Sequence, residues 1–465
     1  MSDSSTSDAL AASLRRELDR MKPGERLPSS RDLIERFRVG PATVSRAIAL
    51  LVAEGAVVTR PGSGTFVAPR RTHADAAAGD TSWQEITLAG REYDPGNAVE
   101  AAHPAPQDGI AMSGGYLHET LQPTRALSAA LARAARRPGA WHRAPTAGLQ
   151  PLRALFAKAA GSSVNAQDVL ITGGGQGALS MLFRALAAPD GPVLMESPTY
   201  PGALAAARAA GLRPIPVPMD GDGIRPDLLA DAFDMTGARL LYCQPTLHNP
   251  AGTALAAERR RQIIRIARQA GAFLIEDDFA RHLSHGRPLP PPLIDDDPDG
   301  TVVYLTSLTK PVSPSLRIGA VIARGPVSRR LLGMRYVDDF FTARPLQEAA
   351  IELLSAPAWD RHLQNLRAVL RERCATLAGA LALHLPDWTP THIPHAGFHL
   401  WVRLPTGHQA TAAAETARTR GVLVNAGDRY FPAEPPGAFL RLSFAAPATT
   451  AELTDAAKRL SRTAF

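Results

Sequence analysis

The stretch YLTSLTKPVSPSLRIG, residues 304–319, follows an apolar run with hydroxyls, a lysine and an arginine. Lysine is rare in this chain: of the 51 basic residues only Lys22, Lys158, Lys310 and Lys458 are lysines, so 51 minus four leaves 47 arginines. Arginine keeps its proton near neutral pH, and only an amine condenses with an aldehyde. The lysine therefore indicates chemistry at Lys310. The alternative is an ordinary surface lysine.

Five short apolar runs alternate with longer amphipathic stretches, which predicts a mainly parallel sheet covered by helices. The runs are DVLIT, PVLME, LLYCQ, AFLIED and VVYLTS, and each ends in polar residues. In open α/β sheets, ligands bind beyond the carboxyl ends of the strands, so these polar endings are expected to meet in one crevice. The polar residues that follow the later runs are Asn249, Asp277, Asp278, Ser307, Thr309, Lys310 and Arg317.

The run DVLIT leads into GGGQGALSMLFRAL, the pattern of a strand, a glycine turn and a helix. Such a turn leaves backbone N–H groups free at a helix N-terminus, where they can hold a phosphate. The glycines also fit a dinucleotide fingerprint, with Gly173, Gly175 and Ala178 as GxGxxA and Glu196 at the end of the next strand. A third reading is a glycine turn needed only for packing. This motif alone leaves all three open.

The later strand endings separate the cofactor classes. A dinucleotide site has no use for a lysine between phosphate-binding hydroxyls and an arginine. A pyridoxal 5'-phosphate site needs an amine to form the imine, a carboxylate beside the pyridine nitrogen and groups that bind the phosphate. Lys310, the EDD segment and the residues around Arg317 supply these three parts. The sequence therefore predicts pyridoxal phosphate.

The first seventy residues predict a winged helix-turn-helix. The first predicted helix is SDALAASLRRELDRM, whose apolar residues have helical spacing and which stops at KPGERLPSS. A second helix, RDLIERF, can be capped by Ser29 or Ser30. A third begins at Pro41 and ends at Gly55. AVVTR and TFVA, separated by PGSG, predict a hairpin, the wing. An ordinary three-helix bundle with a hairpin would show the same hydrophobic pattern.

Short hydroxyls and arginines at the helix starts and the wing favour DNA binding, because these residue types contact phosphates and base edges. Residues 1–71 also hold 12 Arg/Lys against 8 Asp/Glu, a net charge of +4 out of the chain's +7. Residues 27–68 resemble the GntR family of winged-helix regulators, which implies a double-stranded DNA operator as partner. The candidate DNA-contacting residues are Ser29, Ser30, Arg31, Thr43, Ser45, Arg46, Arg60 and Gly62.

Composition and length agree with a DNA-binding protein of several globular domains. At 465 residues and 45% hydrophobic, the chain is expected to form two or three globular domains. Cys243 and Cys374 lack disulfide or zinc spacing, so no metal site is predicted and a reducing compartment fits. No signal segment or apolar run of about 20 residues is visible, so we expect a cytoplasmic protein without a membrane partner.

Residues 109–465 resemble the fold-type I aminotransferases, through TGGGQGAL, ESPTYPG, HNPAGT, EDD, SLTKPVSPSLRIG and LRLSF in that order. With the N-terminal module, the chain resembles the MocR subfamily of GntR regulators. The resemblance implies a winged helix-turn-helix domain at 1–70, a linker at 71–108 and a PLP-dependent transferase fold at 109–465. In that fold an α/β large domain with a mainly parallel sheet carries a smaller C-terminal α+β domain, here about 345–465.

The resemblance also implies roles. Lys310 would hold the cofactor as an internal aldimine, Asp277 would pair with the pyridinium nitrogen and Asn249 would hydrogen-bond the phenolic oxygen. Arg441 would pair with the carboxylate of a substrate or effector. Tyr200 would stack on the ring, and the phosphate would be met by Gly175, Gln176, Ser307, Thr309 and Arg317. Tyr200 could instead be a core aromatic, and Arg441 a surface arginine.

One departure concerns the residue after EDD, which is usually tyrosine in related regulators and is Phe279 here. Losing that hydroxyl removes a donor to the phenolic oxygen and is expected to alter the imine pKa. The following ARHLSHG also differs from the family's acidic and aromatic continuation.

Three functions remain open. The first is a dimeric transcription regulator that senses an amino compound, or the cofactor itself, with weak or no turnover. The second is a working aminotransferase with an accessory DNA-binding module. The third is a winged-helix regulator whose large domain has lost the cofactor and binds another ligand noncovalently.

Overall fold

A computed structural model describes residues 3–60, 62–68, 81, 83–84, 87 and 109–462 of the chain. The chain divides into two compact units, Met1–Arg91 and Glu92–Phe465. Most of the predicted linker, residues 71–108, lies outside the described residues; within it, Thr87 Oγ1 donates to the Trp83 carbonyl at 2.9 Å.

The first unit has the predicted winged helix-turn-helix layout. It contains α1 (Asp3–Leu18), α2 (Ser30–Phe37), α3 (Pro41–Ala53) and the antiparallel pair β1 (Val57–Arg60) and β2 (Gly64–Val67). Ser29, one of the two predicted caps, begins α2 through a capping box with Asp32. Leucines and valines at helical spacing form its core, including Leu14, Leu33, Val44, Leu51 and Val57.

The second unit is built on an eight-stranded sheet. Its strands are β4 (Val169–Thr172), β5 (Pro192–Ser197), β6 (Arg213–Asp220), β7 (Gly223–Ile224), β8 (Leu240–Cys243), β9 (Phe273–Asp278), β10 (Val302–Ser307) and β11 (Gly319–Ile322). Their order across the sheet is β4-β11-β10-β9-β8-β5-β6-β7. Strands β10, β9, β8, β5 and β6 pair in parallel, and β11 and β7 are antiparallel to their neighbours. The five predicted strands correspond to β4, β5, β8, β9 and β10.

Helices cover both faces of this sheet, which is why its central strands read as continuous apolar runs. Successive residues of β5 alternate between two cores: Val193 and Met195 belong to one and Leu194 to the other. The helices before and around the sheet are α4 (Thr124–Ala135), α5 (Gln150–Ala160), α6 (Gly175–Leu186), α7 (Pro201–Ala209), α8 (Pro226–Thr236), α9 (Ala257–Gln269), α10 (Pro326–Asp338) and α11 (Arg344–Ser355).

The C-terminal part forms a smaller α+β layer with its own core. Strand β13 (His399–Arg403) lies between β12 (Thr389–Pro390) and β16 (Phe439–Ser443), and β15 (Asn425–Ala426) completes the antiparallel sheet. A separate parallel pair joins β3 (Ile110–Ala111) to β14 (Val422–Leu423). The accompanying helices are α12 (Pro357–His384), α13 (Ala410–Thr419) and α14 (Thr450–Ser461). The segment after residue 108 is therefore anchored to the small layer.

None of the helices in the described part of the chain combines the length and the apolar composition that a membrane span requires.

Candidate functional site

The parallel pairing of β8, β9 and β10 brings the ends of these three strands to one edge of the sheet. Cys243 lies opposite Glu276, and Asp277 lies opposite Leu305. The residues just beyond these pairs, Gln244 and Asp278, follow in the same direction. The polar endings predicted to converge therefore do so, and Lys310 follows three residues after β10.

Lys310 is half-buried, and its amine lies against the segment just after β3. Its Nζ donates to the Gly115 carbonyl at 2.8 Å and lies 4.1 Å from the centre of the Tyr116 ring. Burial, as the largest cause, and the charges of Arg441 and Arg317 together lower the pKa of the Lys310 amine from 10.5 to about 7, while the Asp277 charge acts in the opposite direction. A large fraction of the amine is therefore uncharged near neutral pH, as a nucleophilic lysine requires.

Asp277 ends β9 as a buried carboxylate with two donors on one oxygen. Its Oδ2 accepts from the Tyr242 hydroxyl at 2.7 Å and from Gln244 Nε2 at 2.9 Å. Burial raises the pKa of Asp277 to about 6, against the lowering by these two hydrogen bonds. Both described donors go to Oδ2, so Oδ1 is left for a further partner, such as a protonated ring nitrogen.

Asn249 and Arg441 are in direct contact. Arg441 Nε donates to Asn249 Oδ1 at 3.0 Å, and Arg441 Nη2 lies 3.3 Å from His399 Nδ1. Burial and the nearby Arg441 charge hold the pKa of His399 well below its ordinary value, so this imidazole is neutral and can accept from the guanidinium. Arg441 is only 3% exposed, and none of its contacts in the described residues is a carboxylate. It is therefore a buried cation able to receive one, rather than a surface arginine.

The glycine turn and Arg317 form a cradle between β4, β10 and β11. Gly174 has φ +100°, a backbone conformation that favours glycine, and a Cβ there would lie 2.9 Å from Arg317 Cζ, so the guanidinium lies directly against this turn. A Cβ at Gly175 would lie 4.0 Å from Ser307 Cβ. The N-terminus of α6, Ser307 and the Arg317 guanidinium therefore face one small volume, suited to an anion.

The hydroxyls of the cradle are held by one another. Ser307 Oγ donates to Thr309 Oγ1 at 2.8 Å and accepts from the Thr309 N–H at 3.1 Å. The Ser307 and Thr309 hydroxyls are therefore fixed in place by contacts within the protein. The buried Thr172 Oγ1 has no hydrogen-bond partner in the described structure, although it lies beside Gly319 at the same strand end.

Tyr200 is tied to the start of α6. Its hydroxyl donates to Gln176 Oε1 at 3.1 Å, and Gln176 Nε2 donates to the Gly202 carbonyl at 2.7 Å. Burial raises the pKa of Tyr200, and the charges of Asp277 and Arg441 also act on it. Tyr200 therefore lies against the start of α6 and close enough to Asp277 and Arg441 for their charges to act on it.

Glu196 does not support the dinucleotide reading. Its buried carboxylate accepts from the Gln244 N–H at 2.8 Å, and burial raises its pKa to about 8. The His248 ring lies 3.4 Å away. The carboxylate is therefore used inside the protein and is not exposed to a ribose.

Phe279 packs its ring edge to face against Phe398, with the ring centres 6.1 Å apart. The next polar residues have internal partners: Arg281 forms an ion pair with Asp278 and also donates to Thr246 Oγ1 at 3.1 Å. The unusual segment ARHLSHG therefore begins with a structural ion pair.

Sequence reasoning missed several residues at this site. Gln244 was visible as the polar end of LLYCQ, but its bridging role depends on side-chain geometry. Tyr242 and His399 lie within strands and carried no positional signal. Gly115 and Tyr116 are nearly 200 residues before Lys310, so only the fold brings them together.

The winged helix presents most of the predicted DNA-contacting residues to solvent. Ser30, Arg31, Ser45, Arg46 and Arg60 are exposed, and Gly62 has φ +72° in the hairpin turn. Two members of the set have internal roles. The Ser29 side chain caps α2, and Thr43 is only 9% exposed because its position on α3 faces the core, so the expectation that Thr43 lies on the solvent side was wrong.

No group of three or more His, Cys, Asp or Glu side chains in the described residues is arranged to hold a metal ion. The two cysteines are buried and unpaired.

Comparison with known proteins gives the family. Residues 112–460 match the model of aminotransferase class I and II, and residues 6–67 match that of the bacterial regulatory proteins of the gntR family. The chain belongs to the class I and II aminotransferase family. Joined to the GntR domain, it is a regulator of the MocR type, as its sequence motifs predicted. The match confirms the predicted fold, and pyridoxal phosphate is the cofactor of this fold.

Its relatives include both regulators and enzymes. The chain is 27% identical to the HTH-type transcriptional regulator YdfD of Bacillus subtilis, over 91% of this chain and 88% of that protein. It is 30% identical to a 2-aminoadipate transaminase of Thermus thermophilus, over 72% and 85% of the two chains. The crystal structure of LysN, an alpha-aminoadipate aminotransferase from Thermus thermophilus, covers 82% of this chain and 97% of its own at 28% identity, with a TM-score of 0.74.

The lowered Lys310 pKa predicts how the apo-protein takes up pyridoxal phosphate. Only the neutral amine attacks the aldehyde, so the rate of imine formation should rise with pH through about 7 and level off above it. The Arg441→Gln variant should move this midpoint upward, because it removes a charge that opposes protonation. Stopped-flow absorbance measures the rate. A rate that rises without a plateau to pH 10, as for an ordinary lysine, would contradict the assignment.

Proposed function

We propose that this protein is a pyridoxal phosphate-dependent, DNA-binding transcription regulator that senses an amino compound, or the cofactor itself, at Lys310. One observation carries the proposal: a half-buried lysine with a lowered pKa lies at the shared edge of the sheet with a buried carboxylate and an anion cradle. The winged helix on the same chain would bind DNA, as a GntR domain does, and its DNA affinity is the property that the effector would change.

The residues present fit the cofactor. The Lys310 amine is placed to condense with its aldehyde, and Asp277 Oδ1 is available to the pyridine nitrogen. Asn249 lies beside Gln244 and is suited to the phenolic oxygen. The phosphate would be held by the N-terminus of α6, through Gly175 and Gln176, and by Ser307, Thr309 and Arg317, with Tyr200 against the ring. When bound, the cofactor supplies an electron sink for bonds next to an amine.

An effector that carries a carboxylate would be held by Arg441. A planar guanidinium suits a bidentate contact with that carboxylate. Asn249 and His399 hold Arg441 through neutral atoms and leave its full charge for the ligand. The free Lys310 amine has partners within the protein, the Gly115 carbonyl and the Tyr116 ring.

An effector changes DNA binding only if it favours one arrangement of the protein over another. The segment that contacts Lys310 follows β3, which pairs with β14 of the small layer. Residues 109–116 are thus attached to both the site and the small layer, and they come directly after the segment that leads from the winged helix. This connection is the route by which we expect effector binding to reach the DNA-binding unit. A regulator acting on the chromosome is expected in the cytoplasm.

A second candidate function is catalytic transamination. It is favoured by the completeness of the site, which has the amine, the ring-nitrogen partner, the phosphate cradle and the carboxylate-binding arginine. The similarity to a 2-aminoadipate transaminase points the same way. Phe279 is the contrary feature, because it cannot donate a hydrogen bond to the phenolic oxygen. Multiple-turnover assays on an amino acid panel separate the two functions: sustained keto acid release supports the enzyme, and a spectral change without release supports the sensor.

A cofactor-free binding domain is the remaining alternative. The lowered Lys310 pKa and the cradle formed by the N-terminus of α6, Ser307 and Arg317 argue against it. A colourless protein that does not take up pyridoxal phosphate would favour it.

A homodimer is the expected assembly, since two copies supply two half-site readers. At and just after the end of α10, the second unit exposes four large apolar side chains, here called the apolar face: Leu332, Tyr336, Val337 and Phe340, which are 40–77% exposed. The Tyr336 and Phe340 rings are in contact at 5.2 Å between centres, and Arg143 lies 6.0 Å from the Tyr336 ring. A cluster of large exposed side chains rimmed by a charge is typical of a protein interface.

The Lys310→Ala variant tests the sensor function. Wild-type protein should show a visible imine band, and an active amino compound should change both this band and the affinity for DNA fragments selected by the wild-type protein, by 5- to 150-fold if coupling is typical. Lys310→Ala should bind DNA but lose both responses. Lys158→Ala, at an exposed lysine, serves as the matched control. A Lys310→Ala protein whose DNA affinity still responds to the compound would refute sensing through Lys310.

The apolar face gives a separate prediction for assembly. The wild-type protein should sediment at twice its chain mass of 49.4 kDa, and Val337→Asp should shift it toward the monomer, because a buried charge opposes association. Met235→Asp changes an equally exposed but isolated side chain and should leave the mass unchanged. A wild-type monomer, or a Val337→Asp protein that remains fully dimeric, would show that this face is not the interface.

A further inference from the structure

Gln244 is a buried side chain whose amide joins two parts of the site. It directly follows β8 and is 2% exposed. Its Nε2 donates to Asp277 Oδ2 at 2.9 Å, and its Oε1 accepts from the Asn249 N–H at 2.9 Å. Its own N–H donates to Glu196 at 2.8 Å. The Gln244 amide thus donates a hydrogen bond to Asp277 at the end of β9 and accepts one from the loop that contains Asn249.

These contacts fix the orientation of the amide. Turning it over would place its NH₂ group against the Asn249 N–H and its oxygen against the Asp277 carboxylate, so that donors would face donors and acceptors would face acceptors. The backbone bond to Glu196 holds the start of the side chain. Gln244 therefore sets the placement of the Asp277 carboxylate relative to the Asn249 backbone.

Tyr242 provides an internal comparison. Its hydroxyl donates to the same Asp277 oxygen at 2.7 Å, and within the described part of the chain it makes no hydrogen bond to another site residue. Gln244 differs from Tyr242 in its second contact, to Asn249. Beyond Asn249, the chain of hydrogen bonds continues to Arg441 and to His399.

We propose that Gln244 is a positioning residue that couples Asp277 to Asn249 and holds them at the spacing of the cofactor's ring nitrogen and phenolic oxygen. The inference rests on the proposed function, because it takes pyridoxal phosphate as the ligand. Gln244 would thus connect the residue that binds the ring nitrogen to the residue that binds the phenolic oxygen. Asn249 in turn contacts Arg441, the arginine assigned to the effector carboxylate.

The test combines two variants with two cofactors. Gln244→Leu removes both side-chain contacts, and Tyr242→Phe removes only the second donor to Asp277. The cofactors are pyridoxal phosphate and its analogue with CH in place of the ring nitrogen, which cannot use Asp277 but keeps the phenolic oxygen. Dissociation constants are measured by absorbance titration of the full-length apo-proteins, whose thermal unfolding is recorded first.

With pyridoxal phosphate, both variants should bind more weakly than the wild type, because each removes a donor that holds the Asp277 carboxylate in place, and the loss should be larger, about tenfold, in Gln244→Leu. With the analogue, the loss in Tyr242→Phe should disappear. Gln244→Leu should keep a severalfold loss, because its contact with Asn249 is still missing. If Gln244→Leu does not fold, Gln244→Met gives the same comparison with an unbranched side chain.

Two results would overturn the inference. Unchanged pyridoxal phosphate binding by Gln244→Leu would show that the residue does not position the site. A loss in Gln244→Leu that is equal for both cofactors, or absent with the analogue, would show that it does not couple Asp277 to Asn249. Failure of the proposed function is distinguishable, because the wild-type protein would then form no imine with either cofactor.

Discussion

The parallel pairing of β8, β9 and β10 is the constraint on which the site depends. Because these strands run in the same direction, their carboxyl ends deliver Gln244, Asp277 and Lys310 to one edge of the sheet. Burial at that edge raises the pKa of the carboxylate and lowers that of the amine, so both respond near neutral pH. Strand β11 begins at Gly319, opposite Thr172 at the end of β4, so Arg317 just before it lies against the glycine turn and closes the anion cradle.

Most of the fold and the chemistry of the site could be predicted from strongly local signals. The apolar runs predicted five strands, and the polar residues that follow these runs indicated Asn249, Asp277 and Lys310 as candidate site residues. The strands that sequence reasoning did not identify are short or irregular: β6 contains three prolines, and β11 follows a turn in which Arg317 adopts φ +50°. The burial of Thr43 could not be predicted from residue type, since the same hydroxyl suits a DNA contact and a helix core.

Contacts between residues far apart in the chain were beyond prediction. Gly115 and Lys310 are 195 residues apart, and Asn249 and Arg441 are 192 apart, yet each pair is joined by one hydrogen bond. These bonds connect the large sheet to the small layer. The sensor function depends on these two bonds. A ligand that moves Lys310 would act on the segment after the linker, and a ligand bound to Arg441 would act on Asn249 in the large domain.

The most direct test of the account is borohydride reduction of the wild-type protein reconstituted with pyridoxal phosphate, followed by peptide mass analysis. Borohydride reduces the imine C=N bond to a secondary amine, which does not hydrolyse. We expect the phosphopyridoxyl group on Lys310, within the peptide that spans the end of β10 and Arg317, and not on Lys22, Lys158 or Lys458. An unmodified Lys310 after reduction, with the cofactor absent or attached elsewhere, would contradict the assignment and with it both the sensor and the transaminase functions.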